Sequence, residues 1–282
     1  MTASVDYNRK IYAIRDLPTL PIIARKILNL SSDDEQLAEK LVTIISKDQS
    51  LSVKVLTLAN SAYYGHRAQI GTIKKAVVVV GTTMLRQFTL GVLVSKGLGQ
   101  GSREREAFWR HSLLSANAAT DIAKSCRISN VEICFMAGLL HDVGKLVLDT
   151  NVPEEYKRVA EIVEIEHCSL IEAERQVLDT DHTHVGVWMA ERWQLPPELV
   201  QSIGYHHDLN LTSLAHSKIV AVAHLASICA EVVDKVDDLN PEIPQVFIPV
   251  EIQAILRLSQ EQIMEIIESL QDRKSEVQSL FE

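Results

Sequence analysis

Apolar residues recur three and four positions apart along most of the chain, a spacing that predicts helices rather than strands. Leu37, Ala38, Leu41, Val42 and Ile45 form one stripe, and Leu51, Val55, Leu58 and Ala59 form the next, which Asp48 or Ser50 is placed to cap. These two helices are expected to pack antiparallel across a short turn. The run Val77-Val78-Val79-Val80 has β character, because branched side chains suit a pleated surface, but Gly81 argues against a long strand. A short helix from about Thr72, ended by Gly81, fits better. A second helix, with Thr82 as its cap, then runs through Met84, Leu85, Phe88 and Val92.

Three glycines between Lys96 and Ser102 are the sharpest punctuation in the chain and suggest a boundary there. Beyond it, helices are expected at about 104–126, 130–149, 153–166, 169–178, 183–194, 197–208 and 213–236. Ser169 and Glu172 have the spacing of a capping box, and Pro196 and Pro197 suit a first helical turn. A proline-punctuated loop from Pro241 to Pro249 leads to two further helices, the second opening at Ser259 with Gln262 three residues on. The expected fold class is all-α, with an N-terminal helical subdomain (1–100), a histidine-bearing helical subdomain (101–240) and a C-terminal helical extension (241–282).

Composition narrows the classes. The 282 residues are 46% hydrophobic and 23% charged, within the globular range, and 28 Lys+Arg against 37 Asp+Glu leave a net charge of −9. Acidic balance and small basic patches argue against nucleic acid as a partner. No apolar run reaches the roughly 20 residues that cross a bilayer, so no membrane association is expected. The first residues lack the basic start and apolar core of a secretory signal, and Cys126, Cys134, Cys168 and Cys229 form no C-x-x-C pair. A cytoplasmic protein with buried thiols follows as the expectation.

The candidate chemistry lies in the histidines. Seven of the ten, His111, His141, His182, His184, His206, His207 and His224, form a constellation, and His141 is followed directly by Asp142. A metal site needs several neutral imidazoles and carboxylates converging from different helices, and adjacent His and Asp can serve one cation from a single turn. His184 reads better as a supporting or surface residue. His66, His167 and His216 read as ordinary, Trp109, Trp188 and Trp193 as packing, and Tyr63 and Tyr64 as anchors of a turn that Asn60 closes.

The segment Gly138-Leu-Leu-His141-Asp142-Val-Gly144-Lys145, together with His111, His182 and His206-His207, resembles the HD superfamily of metal-dependent phosphohydrolases, most nearly its HD-GYP branch. Leu17-Pro-Thr-Leu-Pro21, the stretch from Ile45 to Gly65 through Asn60-Ser-Ala-Tyr-Tyr, Ile73 to Gly81, Trp109-Arg-His111-Ser and Trp193-Gln-Leu-Pro196 look like the HDOD family, the HD-related output domain. The resemblance covers roughly residues 14–215.

This resemblance implies a helical module with a bacterial signalling role, acting as an output or scaffold domain with a signalling protein as partner. It also implies candidate metal ligands at His111, His141, Asp142, His182, His206 and His207, with Asp142 bridging two cations and Lys145 facing a phosphate. The ions would be one or two divalent transition metals: iron, manganese or zinc. Asp142 and Lys145 would be the catalytic residues of an enzyme acting on a nucleotide, a cyclic dinucleotide or another phosphate-containing ligand. Two departures lean against catalysis. Ala221-Val-Ala-His224 puts histidine where the relatives carry their last ligand aspartate, which makes His224 a seventh candidate ligand, and no Gly-Tyr-Pro element follows His206-His207-Asp208. The plain alternative is a relic pocket in which the histidines and Asp142 are satisfied by hydrogen bonds alone.

Overall fold

A computed structural model describes residues 21–28, 30, 35–60, 69–98, 103–208, 210, 215–236, 246–274 and 277, and every regular element among them is an α-helix. The fold class is therefore all-α, as the spacing predicts. The motif at 17–20, the Tyr63-Tyr64 pair, His66, the end of the glycine-rich stretch (99–102) and residues 241–245 lie outside the described residues. By contacts the chain divides into two compact units, one in Pro18–Leu113 with Ser269–Glu282, the other in Leu114–Glu268 with Met1–Leu17.

The first unit holds α1 (Ile22–Leu28), α2 (Leu37–Ile45), α3 (Gln49–Ala59), α4 (Ile73–Val80) and α5 (Thr82–Leu98). The predicted stripes form its core: Leu37, Leu41, Ile45, Leu51, Val55 and Ala59 are all buried. Asp48 caps α3 by accepting from Leu51 N–H at 3.0 Å, and Thr72 caps α4 by accepting from Lys75 N–H. The valine run is helical because its burial has a helical period. Ile73, Ala76, Val77 and Val80 face inward while Val78 is 82% exposed. Gly81 ends the helix with φ at 86°, a conformation that costs glycine little. Thr82, expected as a cap, is instead the first residue of α5. Buried Arg86 donates to the carbonyls of Leu28 (3.1 Å) and Leu30 (2.7 Å), tying α5 to the end of α1. Asn60 accepts from the Ile70 N–H at 2.8 Å and donates to the Ile70 carbonyl at 2.9 Å.

α6 (Arg103–Ser125) runs across the division at Leu113. The second unit continues with α7 (Val131–Leu140), α8 (Val143–Asn151), α9 (Pro153–Glu166), α10 (Leu170–Leu178), α11 (His182–Arg192), α12 (Pro197–Tyr205), α13 (Ser217–Lys235) and α14 (Val250–Leu256), and then enters α15 (Gln260–Asp272). Helix α7 is buried on every side from Cys134 to Leu140, as suits a helix that is apolar all round. It packs on α12 and α13, while α8 packs on α11. The capping box of α10 forms in both directions between Ser169 and Glu172, and the Ser259–Gln262 pair opens α15 in the same way.

Two expected helices stop early. The helix expected over 130–149 breaks at His141-Asp142, and the one expected over 197–208 ends at Tyr205, before His206-His207. Apolar periodicity continues through both breaks, so it cannot reveal them. Two glycines set the position of the first. A Cβ on Gly138 would stand 2.6 Å from the Ser115 carbonyl oxygen, and one on Gly144 would collide with the His182 carbonyl. Bare backbone on each side of His141-Asp142 thus lets α6 and α11 approach closely. No single helix among the described residues is long and apolar enough to cross a membrane.

Candidate metal centre

Two helices end in the same way. His141 follows α7 and its ring Nδ1 lies 2.8 Å from the Gly138 carbonyl; His206 follows α12 and its Nδ1 lies 2.9 Å from the Ile203 carbonyl. Each ring N–H satisfies a carbonyl three residues back, one of the acceptors a helix leaves open at its C-terminus. Since a carbonyl only accepts, the hydrogen sits on Nδ1 and the Nε2 lone pair points inward.

His182 reaches the same arrangement from a helix start. It is the first residue of α11, which Asp181 caps by accepting from Thr183 N–H (2.9 Å) and His184 N–H (3.1 Å). Burial would raise the Asp181 carboxyl, but the Thr183 hydroxyl, the His184 N–H, Arg175 and the His184 ring outweigh it and hold it well below the usual range. The Nδ1 of His182 lies 2.7 Å from Oε2 of Glu174, a fully buried carboxylate on α10. The His182 backbone N–H donates to that oxygen at 2.9 Å, and Tyr156 O–H donates to Oε1 at 3.0 Å. Burial and the charge of Glu174 push the Tyr156 phenol well above its ordinary value, so it remains a donor.

Asp142, 2% exposed, is the meeting point. The Nε2 atoms of His182 and His206 both lie 3.4 Å from its Oδ1, and the His141 Nε2 lies 3.2 Å from its Oδ2. Neither His182 Nε2 nor His206 Nε2 has a hydrogen-bond partner. His207 joins the group from the exposed side, its ring centroid 4.1 Å from that of His206. Ligand atoms of Asp142, His182, His206 and His207 all lie within 4.8 Å of one another. Lys145 Nζ is 2.6 Å from Asp142 Oδ2. Burial opposes the charge of Asp142, but the neighbouring His141 and Lys145 outweigh it and keep the carboxyl well below its usual range. Burial also pushes His206 down to about 3, which leaves its imidazole neutral.

This geometry is a fit test for a cation. A neutral Nε2 and a carboxylate oxygen both present lone pairs, so at 3.4 Å they repel unless a positive charge lies between them. Three imidazoles with their N–H groups directed outward and their lone pairs inward match a divalent transition metal.

His111, half-buried, lies on α6 one turn before Ser115, the residue against Gly138. His224, on α13, is not among the four converging residues; its ring faces the His206 backbone, and burial lowers its pKa more than that contact raises it. Lys145 is engaged by Asp142. His184 has a 62% exposed side chain and lies 3.0 Å from Asp181, a supporting position as expected. Trp109 and Trp193 are buried, and Arg192 lies over the Trp188 ring at 4.8 Å. All four cysteines are free. Sequence reasoning missed Glu174 and Tyr156. The available signal was a carboxylate in the apolar stripe of α10, four residues after Leu170 and four before Leu178. Next to His207 opens a groove of about 1080 Å³, with Arg175, His184, Trp188, Tyr205 and Asp208 in its walls.

This is an all-helical unit with His-Asp at a helix break and further imidazoles closing on the aspartate, a buried cluster that could bind a metal. The family model of the HDOD domain matches residues 17–209, and the chain belongs to the HDOD family. It is similar to the crystal structure of an HDOD domain protein of unknown function from Geobacter sulfurreducens, 26% identical with a TM-score of 0.77 over 98% of this chain and 95% of that one. A provisionally named phosphohydrolase from Shewanella amazonensis SB2B has the same fold at 22% identity and a TM-score of 0.72, covering 99% and 98% of the two chains. A provisionally named signal transduction protein from Marinobacter aquaeolei VT8 follows at 20% and 0.76, covering 98% of this chain and 64% of that one. An uncharacterized protein of Treponema pallidum (strain Nichols) is 27% identical over 209 residues, 73% of this chain; the match spans 39% of that relative's length.

Proposed function

We propose that this chain is a regulatory output or scaffold module of a bacterial signalling system, and that its histidine pocket holds a divalent transition metal as a structural or sensing centre. The observation that carries the metal reading is the pair of buried Nε2 atoms, on His182 and His206, each 3.4 Å from Asp142 Oδ1 without a hydrogen-bond partner. In this reading His182, His206, His207 and Asp142 Oδ1 hold one ion. His141 stands on the Oδ2 side for a second, with His111 as the further candidate that the family resemblance supplies. His224 supports His206 from behind. Segment 101–240 is then the working part, flanked by 1–100 and 241–282, with a cytoplasmic location and a signalling protein as partner. The name of the Marinobacter neighbour points the same way.

A bound metal would supply a water of lowered pKa and polarise a phosphoryl oxygen. The chain's own residues restrain that chemistry. Lys145 is held by Asp142 rather than left to a phosphate, and His224 stands where a further carboxylate would otherwise lie. The second reading, a phosphohydrolase acting on a nucleotide or cyclic dinucleotide, is favoured by the groove that reaches His207.

Elemental analysis of untagged protein tests the metal reading. Near-stoichiometric iron, manganese or zinc that is lost in His141→Ala/Asp142→Ala supports it, and metal-free protein that resists reconstitution overturns it. Turnover of phosphodiesters or nucleotides by the loaded protein, abolished by Asp142→Ala, would replace the sensing role with the second reading.

A further inference from the structure

We infer that Glu174 supplies, through the His182 imidazole, the negative charge that this nitrogen-rich pocket lacks among its direct ligands, and so governs how tightly the pocket holds a divalent metal. The inference rests on the metal reading above. Asp142 is the one carboxylate in the converging group, and the Lys145 ammonium 2.6 Å from Oδ2 already balances its charge. A divalent ion among neutral imidazoles would then leave its charge uncompensated in a buried site, which is costly.

Glu174 is the nearest remedy. It is fully buried, and its position is fixed by three donors: His182 N–H and Nδ1–H on Oε2, and Tyr156 O–H on Oε1. Three donors on one carboxylate are what a buried anion requires. The 2.7 Å contact draws the Nδ1 hydrogen toward Glu174 and raises the electron density at the opposite nitrogen, the one facing Asp142. Tyr156 works in the other direction, because its hydrogen bond occupies part of the carboxylate's charge. Glu174 is thus a positioning residue that touches no metal itself.

The opposed roles give a test that a merely structural part would fail. Co2+ binding is titrated by visible absorption in wild type, Glu174→Gln and Tyr156→Phe, with circular dichroism of the metal-free proteins. Glu174→Gln keeps the shape and removes the charge; it is expected to weaken Co2+ by about 10–100-fold with helicity retained. Tyr156→Phe is expected to tighten binding. Equal affinity of Glu174→Gln and wild type overturns the inference, as does weaker or unchanged binding in Tyr156→Phe. If Glu174→Gln does not fold, Tyr156→Phe alone decides by the same signs. Wild-type protein that takes up no Co2+ overturns the metal reading itself, an outcome distinct from equal affinities.

Discussion

The two units each bury a charge and use it in opposite ways. In the first, Arg86 is 3% exposed and directs its guanidinium at the carbonyls that end α1, so the charge closes a structural joint. In the second, Asp142 is 2% exposed and is surrounded by imidazoles whose own hydrogens point away from it. Acceptors around a donor make a joint. Acceptors around an acceptor fit a cation. The difference is one of stereochemistry, since both units are helical, and it separates buried polarity that is satisfied within the fold from buried polarity that fits a cation.

The contrast can be broken most directly at Asp142. Asp142→Ala should lower metal content by at least about tenfold, read by elemental analysis, while Arg86→Met should leave it unchanged. The converse holds for stability: Arg86→Met removes a buried charge from two part-buried carbonyls and should cost about 2 kcal/mol in urea unfolding of the metal-free protein. Equal metal loss in both variants would remove the distinction. Gly144→Ala drives a methyl group into the His182 carbonyl and should cost about 2 kcal/mol while also weakening metal uptake, a combined effect expected in the histidine unit alone.

A smaller effect concerns acid. Asp181 is held well below its ordinary value in the folded chain, so its contribution is complete above the unfolded value of about 4 and is lost as pH falls below it. Unfolding of the metal-free protein between pH 6 and 3 should therefore show a shallower acid loss in Asp181→Asn than in wild type. The smallest effect is chemical. Burial pushes the thiols of Cys134 and Cys229 up to about 12, so neither should be alkylated at pH 8 before unfolding, as mass spectrometry of iodoacetamide-treated protein would show.

Much of the centre was legible as residue types and little as geometry. His141, Asp142, His182, His206 and His207 stand out because imidazoles beside carboxylates are rare in an apolar background, and these five residues converge. Their placement at helix ends was not legible, since the apolar stripe of α7 and α8 runs through the break and gives no sign of it. Glu174 was hidden for a related reason: one carboxylate in an amphipathic helix looks like an ordinary surface residue until its neighbours are known. His224 shows the reverse. Its sequence position suggests a ligand, but the described contact is with the His206 backbone.

The sequence by itself determined the helical class, the capping box of Ser169 and Glu172, the helix opening at Ser259, the core stripes and the residue types of the histidine cluster. These depend on interactions within a few residues, and a 3.6-residue period or a three-residue cap spacing records them directly. Tertiary structure alone decided which nitrogen of each histidine faces inward, that Glu174 stands behind His182, and that Lys145 is bound by Asp142. Those outcomes depend on directions set where separate helices meet, at distances of 2.6 to 3.4 Å, and no spacing along the chain encodes a direction in space.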